Sequence, residues 1–161
     1  TLSINTSPVT IKQIELAIIE RAFKAGWVEP KPPKKESGRS VAVIGSGPAG
    51  LAGAQQLRRR GHRVTVFEKA RKIGGLLRYG IPDFKLDKSI VDRRLDQLTK
   101  EGVKFKTDVN IGDDLSVRYL QKSFDAILLA IGAEKPRLLE IPGHDLNGIY
   151  QFIGNKNIVH I

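Results

Sequence analysis

The sequence predicts an α/β fold built around a parallel sheet. The first observation is a run of four apolar residues at 41–44, which is typical of a strand buried on both faces. The second is the spacing of the glycines at 45–50, followed by helix-forming residues at 51–60 that end before Gly61. The third is another apolar strand at 63–67, after which helices and strands continue to alternate.

The first glycines follow the pattern G-x-G-x-x-G, which joins a strand to a helix in dinucleotide-binding proteins. Gly45 permits the tight turn, Gly47 lets the backbone approach a pyrophosphate, and Gly50 lets the helix pack close to the strand. Pro48 and Ala49 complete the turn, where the free N–H groups and positive end of the helix would hold the phosphates. The pattern therefore predicts a Rossmann-like βαβ unit in an incomplete domain.

Glu68 ends the second strand, close to the spacing of about 20 residues expected for the acid that binds a ribose. Its carboxylate can accept hydrogen bonds from ribose hydroxyls and would repel a 2′-phosphate. The fingerprint alone does not separate FAD from NAD. It leaves open a flavoprotein, an NAD-binding dehydrogenase domain and a non-catalytic adenine-nucleotide-binding module.

Composition narrows the possible partners. The chain has 161 residues, a formal net charge of +10 and no cysteine, which excludes disulfides and thiolate metal sites within it. Aromatic residues make up only 6%, and the cations are scattered along the sequence, so we expect no nucleic-acid partner. We expect a basic surface that meets anionic cofactors or an acidic partner. No apolar run reaches about 18 residues, so we expect no membrane span. We also expect a cytoplasmic location.

The amino-terminal region predicts a helix and a linker. Residues 1–27 contain an amphipathic helix, which Thr10 and Gln13 would open as a capping box and Gly26 would end. Its apolar stripe consists of Ile11, Ile14, Ile18, Ile19, Ala22 and Phe23. Residues 28–39, rich in Pro and Lys, predict an extended linker.

A long loop at 69–87 carries the second functional signal. It holds Gly74, Gly75 and Gly80 among large apolar residues, which suggests a backbone that lies against a flat apolar ligand such as an isoalloxazine ring.

The later elements are predicted as a helix at 88–101 with Ile90, Leu95 and Leu98 inward, a strand at 103–107, a helix at 115–122 capped by Asp113 or Asp114, and a buried strand at 126–130. The three histidines are isolated, so no acid–base catalyst is predicted.

Residues 68–82 run Glu-Lys-Ala-Arg-Lys-Ile-Gly-Gly-Leu-Leu-Arg-Tyr-Gly-Ile-Pro, and this stretch resembles the signature of the NADPH-dependent glutamate synthase small (beta) subunit family. Lys85-Leu86, Asp92-Arg93-Arg94, 8–27 and 132–137 extend the resemblance. The flavin half of dihydropyrimidine dehydrogenase and the NADPH–ferredoxin oxidoreductases share this architecture.

The resemblance implies that this chain is a fragment of a larger electron-transfer enzyme. Residues 40–150 would form part of an FAD-binding domain, 1–27 the tail of a missing iron–sulfur helical domain, and 151–161 a connector toward a missing NADPH domain. Electrons would pass from NADPH through FAD and 4Fe-4S clusters to a large subunit, where 2-oxoglutarate and glutamine become two glutamates, or to another electron acceptor. NADPH and the clusters would bind outside this chain, so the fragment alone is expected to be inactive and to self-associate through exposed apolar loop residues.

The resemblance also assigns residues to FAD. In order of position these are Gly45, Gly47, Pro48, Ala49 and Gly50 on the pyrophosphate, Glu68 on the ribose with Lys69 beside it, Gly75, Leu76 and Lys85 on the flavin side, Ile111 on the adenine through its backbone, and Gly132 for close approach. Ile131 replaces the Thr that is usual before that last glycine. Glu15 aligns with a cluster ligand of some relatives, although a solvated helix residue is the favoured interpretation.

Overall fold

On the computed structural model, the described residues are 4, 7–133 and 141–147. The chain divides into two units, Thr1–Pro30 and Lys31–Ile161, which are considered separately. The predicted connector at 151–161, His160 and most of the resemblance at 132–137 lie outside the described residues.

The described part of the second unit contains four parallel strands with helices between them. The strands are β1 (Ser40–Ile44), β2 (Arg63–Phe67), β3 (Lys104–Lys106) and β4 (Ala126–Leu129), in the order β3-β2-β1-β4. The helices of the chain are α1 (Ile11–Lys24), α2 (Pro48–Arg59), α3 (Leu76–Tyr79), α4 (Lys88–Lys100) and α5 (Val117–Ser123). The strand order reverses at β1, and open α/β sheets bind ligands beyond the carboxyl ends of the strands at such a reversal. The α/β fold with a parallel, Rossmann-like sheet is therefore confirmed.

Strand β1 is buried because its alternate residues face two apolar clusters. Val41 and Val43 pack with residues that include Leu51 of α2 and Leu98 of α4. Ala42 and Ile44 face the second cluster, whose buried members from other elements are Phe67 and Leu120. The strand is fixed on both faces, so the direction in which it delivers the glycine turn is fixed as well.

The predicted capping box of α1 is wrong. Thr10 is the N-cap residue, but its side chain makes no capping hydrogen bond. Its ψ of 66° departs from the extended backbone that normally aims a cap hydroxyl at the first-turn amides. No residue of α1 is buried, and Ile11, Ile14 and Ile18 are exposed.

Three expectations about the later elements also need correction. Helix α5 is capped by Ser116, whose Oγ accepts from the N–H of Tyr119, while Asp113 and Asp114 accept bonds from Asn110 instead. In α4 the buried apolar residues are Val91 and Leu98, with Leu95 partly buried, whereas Ile90 keeps intermediate exposure. Strand β4 is not fully buried, because it is an edge strand of the sheet in the described part of the chain, and its Leu129 is 70% exposed. An apolar run of this length does not distinguish an edge strand from a central one.

Asp125 aligns β4 with β1 where both strands begin. Its Oδ2 accepts hydrogen bonds from the backbone N–H of Ser40 at 2.8 Å and the Ser40 hydroxyl at 2.9 Å, and its Oδ1 accepts one from Arg39. The hydrogen bond from the backbone N–H of Ser40, together with those from the side chains of Arg39 and Ser40, holds the pKa of Asp125 well below its usual value. The carboxylate therefore remains charged and sets the register at this edge.

Glu101 joins α2, α4 and the linker through a buried polar network. Its side chain is fully buried and accepts hydrogen bonds from Gln55 at 3.1 Å, from Arg59 at 2.7 and 3.0 Å, and from the backbone N–H of Lys31 at 3.2 Å. Burial raises the pKa of Glu101, but the bonds from Arg59, Lys31 and Gln55 outweigh it, and the pKa lies below its ordinary value of 4.5. The network holds the helix that begins at the glycine turn.

We expect Glu101→Gln to lower the free energy of unfolding by about 2–3 kcal/mol, because Arg59 loses its buried counter-charge. Chemical denaturation followed by circular dichroism on the full-length protein measures this. Asp96→Asn is the matched control, because Asp96 pairs with Lys100 on an exposed face and should change the stability by under about 0.5 kcal/mol.

The difference between wild type and Glu101→Gln should also depend on pH. The depressed pKa stabilises the folded state above pH 4.5, and that contribution disappears as the pH falls through the folded-state pKa. The two proteins should therefore approach each other in stability below about pH 4. A gap that does not depend on pH, or equal losses for the two substitutions, would contradict the role of the ionised carboxylate.

Candidate functional site

The candidate site lies beyond the carboxyl end of β1, where the chain turns into α2. Gly45 has φ +102°, a conformation that side chains rarely adopt, and a Cβ there would collide with the carbonyl oxygen of Ala130. A Cβ on Gly50 would collide with the carbonyl oxygen of Gly45. These two glycines therefore allow the turn and the close packing of α2, as the fingerprint predicts.

Gly47 differs from the other two glycines because its exposed side faces open space. A Cβ built on it would meet no protein atom within 4 Å. It is the N-cap residue of α2 and offers no side chain to the first-turn amides, and it is followed by Pro48 and Ala49, both exposed. The turn thus presents a helix amino terminus without a side-chain cap, which is favourable for an anion.

Glu68 turns back toward this glycine turn. The side chain is buried, and its Oε2 accepts hydrogen bonds from the backbone N–H of Ser46 at 3.0 Å and from the Ser46 hydroxyl. Its Oε1 accepts one bond, from the N–H of Ala70 at 2.9 Å. A carboxylate oxygen can accept two hydrogen bonds, so Oε1 keeps capacity for a ligand hydroxyl.

Ser46 is a site residue that the sequence interpretation missed. It is completely buried, and its hydroxyl donates to Glu68 while accepting from the N–H of Gly74 at 3.0 Å. One hydroxyl thus links the glycine turn, the acid after β2 and the Gly74–Gly75 loop. The fingerprint treats this position as a variable spacer, so its spacing carries no signal for this role.

The Gly74–Gly75 loop lies directly against the glycine turn. Gly75 has φ +53° and ψ −129°, and a Cβ on it would lie 2.8 Å from the Cα of Gly47. Gly74 has φ +132°, which also requires glycine. The backbones of Gly47 and Gly75 are therefore in contact, and both glycines are needed for that approach.

Side chains tie the rest of the loop in place. Arg78 donates to the carbonyl of Ile73 at 3.2 Å and forms an ion pair with Asp92 of α4. The hydrogen bond from Arg78 lowers the pKa of Asp92. The Tyr79 hydroxyl accepts from the N–H of Lys72 at 2.9 Å. The loop predicted to meet a flat ligand is thus an ordered part of the domain.

The other predicted site residues lie at varying distances from this centre. Leu76 is the first residue of α3 and is half exposed, Lys69 and Lys85 are exposed, and Ile111 bridges to Leu115 with intermediate exposure. Gly132 has φ +70° and lies two residues after Ala130, whose carbonyl adjoins Gly45. In the described part of the chain, no hydrogen bond joins the side chain of Lys85 or the backbone of Ile111 to the glycine turn. Their predicted roles therefore remain predictions.

Within the described residues, no group of His, Cys, Asp and Glu side chains could hold a metal ion. Glu15 lies exposed on α1. None of the described helices is both long enough and apolar enough to cross a bilayer.

Comparison with protein families gives one match that covers most of the second unit. Residues 39–159 match the family model described as pyridine nucleotide-disulphide oxidoreductase. Its start coincides with the beginning of β1, and the glycine turn, Glu68 and the Gly74–Gly75 loop all lie inside the matched range.

Similar proteins confirm the resemblance seen in the sequence. The chain is 60% identical over 150 residues to the glutamate synthase [NADPH] small chain of Mycobacterium tuberculosis, which covers 93% of this chain and 31% of that protein. It is 51% identical to the glutamate synthase [NADPH] small chain of Bacillus subtilis, with 93% and 30% covered. It is also 51% identical to the glutamate synthase [NADH] of Schizosaccharomyces pombe, of which it covers 7%. The chain thus spans about a third of the small chains that it matches.

Among solved structures, the fold is similar to FprA of Mycobacterium tuberculosis in complex with NADPH. The TM-score is 0.62 at 28% identity, and the match covers 72% of this chain and 28% of FprA. A 2-naphthoyl-CoA reductase complex gives a TM-score of 0.54 at 28% identity, with 73% and 17% covered.

Ser46→Ala should loosen the Gly74–Gly75 loop, because Gly74 loses the acceptor of its N–H. A buried hydrogen bond is worth about 1–3 kcal/mol when one partner is left unpaired, so exchange of the Gly74 amide should accelerate by about tenfold or more. Hydrogen exchange on the full-length protein measures this. Ser37→Ala removes an exposed hydroxyl bonded to Gly61 and His62, and it should leave the Gly74 amide unchanged. Unaltered protection in Ser46→Ala would show that the bridge does not hold the loop.

Proposed function

Because the chain belongs to the pyridine nucleotide-disulphide oxidoreductase family, we propose that its second unit is part of the FAD-binding domain of a glutamate synthase small-chain-like flavoprotein. The observation that carries the proposal is the convergence of three segments at the reversal point of the sheet: Gly75 contacts Gly47 directly, and Ser46 joins Glu68 to Gly74 through hydrogen bonds. The 60% identity to a glutamate synthase small chain supports the specific family.

The residues present fit an FAD. The open side of Gly47 leaves room for a diphosphate at the amino end of α2, and Pro48 and Ala49 would lie under it. Glu68 would bind the ribose through the remaining capacity of Oε1, with Lys69 beside it. Gly75, Leu76 and Lys85 would line the flavin side, Ile111 would meet the adenine, and Gly132 would allow close approach beyond β4.

The bound FAD would supply hydride acceptance and stepwise electron release, while these residues bind and orient it. In the proposed pathway electrons come from NADPH and leave through iron–sulfur clusters, both held outside this chain. The acceptor is a glutamate synthase large chain or another electron carrier. In support, the bacterial relatives are named as small chains, and the fission yeast relative carries the matching stretch as 7% of one longer glutamate synthase.

Further parts of the proposal concern the chain by itself. We expect it to be inactive alone, because in this proposal NADPH and the iron–sulfur clusters bind outside this chain. The exposed apolar residues Leu76, Phe84, Leu129 and Ile131 provide a reason for self-association. A cytoplasmic location is part of the proposal and depends on the resemblance alone.

A free-standing NAD-binding dehydrogenase or a non-catalytic adenine-nucleotide module explains fewer of the contacts. Both would use the glycine turn and Glu68. Neither accounts for a Gly74–Gly75 loop that is packed on Gly47 and tied to α4 through Arg78.

The proposal is tested on the full-length protein. Purified protein should carry flavin absorbance, and anaerobic NADPH should bleach it. Protein that retains NAD and no flavin would support the dehydrogenase alternative, and bound flavin that NADPH leaves oxidised would exclude the electron-input role.

Gly75→Ala should lower the FAD content by about tenfold or more, because the added methyl group would press on the Cα of Gly47 and strain a backbone reserved for glycine. Flavin released per protein is the measurement. Gly38→Ala is the matched control, since Gly38 has φ +74° but a methyl group on it would meet nothing within 4 Å, so the substitution introduces strain without a clash. Equal FAD content in both variants, with unchanged circular dichroism, would argue against the assigned position of the loop.

A further inference from the structure

Some of the cations that are scattered in the sequence lie together at one edge of the folded second unit, whereas others, such as Arg71 and Lys106, lie elsewhere. By this edge we mean the side of the unit where the amino ends of the parallel strands lie, opposite the candidate site, and not an edge strand of the sheet. It includes the carboxyl ends of α2 and α5. Seven exposed residues there form no ion pair within the described part of the chain, and we call them the basic edge: Lys31, Lys34, Lys35, Arg60, Arg63, Lys104 and Lys122. Arg63 pairs with Ser40 in register, and Lys104 pairs with Thr65, so the strands bring residues from distant segments together.

The acidic residues of this edge are already used by other cations. Glu36 pairs with Arg58, and hydrogen bonding from Arg58 lowers the pKa of Glu36. Glu101 pairs with Arg59, and Asp125 pairs with Arg39. Each of these carboxylates forms its ion pair with a cation outside the set of seven, and only Glu36 also attracts a member of the set, Arg63, so most of the charge of the basic edge is not compensated by the described carboxylates.

The backbone that carries these cations is well fixed. The N–H of Lys31 donates to Glu101, and the N–H of Ser37 donates to the carbonyl of Gly61 at 2.9 Å. A Cβ on Gly61 would collide with the carbonyl oxygen of Lys35, so the linker packs closely against the turn after α2. The predicted extended linker is therefore a hydrogen-bonded border of the domain.

Attraction of cations to helix carboxyl ends explains only part of this arrangement. Arg60 and Lys122 lie at the ends of α2 and α5, where cations are favoured. The other five members of the basic edge lie in the linker or at the first residue of a strand, where no helix end requires a cation.

We propose that the basic edge is the docking surface for an acidic face of the large chain that accepts the electrons. This inference rests on the proposed function, because it names the partner of the same flavoprotein. The surface lies at the opposite end of the strands from the glycine turn, so it serves assembly and leaves the cofactor end accessible. Opposite charges that face each other accelerate association and set orientation.

The composition of the edge favours a protein over other anionic partners. Five of the seven cations lie within 31–75, and this described stretch contains no exposed large apolar or aromatic residue that could stack on bases. The same absence leaves no apolar wedge for a lipid surface within that stretch.

The test uses the full-length protein and its large chain. In the edge variant, four cations are neutralised together: Lys34→Gln, Lys35→Gln, Arg60→Gln and Arg63→Gln. In the matched control, the same charge is removed from exposed cations outside the basic edge: Lys12→Gln, Arg21→Gln, Lys24→Gln and Arg118→Gln. Association is measured by surface plasmon resonance at about 50 mM and about 500 mM salt, which differ strongly in screening.

The edge variant should associate with the large chain about tenfold more slowly than the control variant at low salt, and the difference should shrink at high salt. Equal association rates for the two variants would overturn the inference. Binding of a short DNA duplex that only the edge variant loses, with large-chain association unchanged, would overturn it in favour of a nucleic-acid surface.

Flavin reduction separates this inference from the proposed function. Both variants should retain FAD and be bleached by NADPH as fast as wild type, because neither set touches the glycine turn. If wild type is bleached and the variants associate equally, only the docking inference fails. If wild type carries no NADPH-reducible flavin, the proposed function fails, and so does the docking inference, which depends on it.

Discussion

The candidate site depends on a single buried hydroxyl. Ser46 donates to Glu68 and accepts from Gly74, and through these bonds it joins the glycine turn to two positions that follow it by 22 and 28 residues. Burying the polar side chain of Glu68 is costly unless its oxygens are hydrogen-bonded, and the hydroxyl and amide of Ser46 supply such bonds without using all of its capacity. The same bonds hold the loop so that Gly75 rests on Gly47. The glycine turn, Glu68 and the Gly74–Gly75 loop thus form one connected unit.

Much of this arrangement is predictable because its signals are local. Strands β1 and β2 are contiguous apolar runs, the glycine turn has a spacing set by backbone geometry, and Glu68 stands at a fixed distance from it. Ser46 was not predictable, because its role exists only when Glu68 and Gly74 meet it across 22 and 28 positions of sequence. A serine at a variable position of the fingerprint does not indicate in the sequence that its hydroxyl will form these long-range hydrogen bonds.

The errors have the same origin. Asp113, Asp114 and Ser116 are all residues that cap helices, and the choice among them depends on where Asn110 turns the chain. The apolar run of β4 is compatible with a central strand, and only the sheet order reveals it as an edge. Likewise the cations of the basic edge look dispersed in the sequence. They meet in the fold because parallel strands all begin at the same end of the sheet, whatever the length of chain between them.

The two ends of the strands have opposite electrostatic requirements, and the direction of the helices explains why. In a parallel α/β unit the helix amino ends face the carboxyl ends of the strands, so positive partial charge collects where an anionic cofactor would lie. The helix carboxyl ends point to the other edge and attract cations such as Arg60 and Lys122. That edge therefore begins with a bias toward basic residues, and Lys34, Lys35 and Arg63 extend the bias beyond what the helix ends require. A partner drawn to this edge would meet the domain at the end of the strands opposite the proposed cofactor site, so the partner and the cofactor need not compete for one surface.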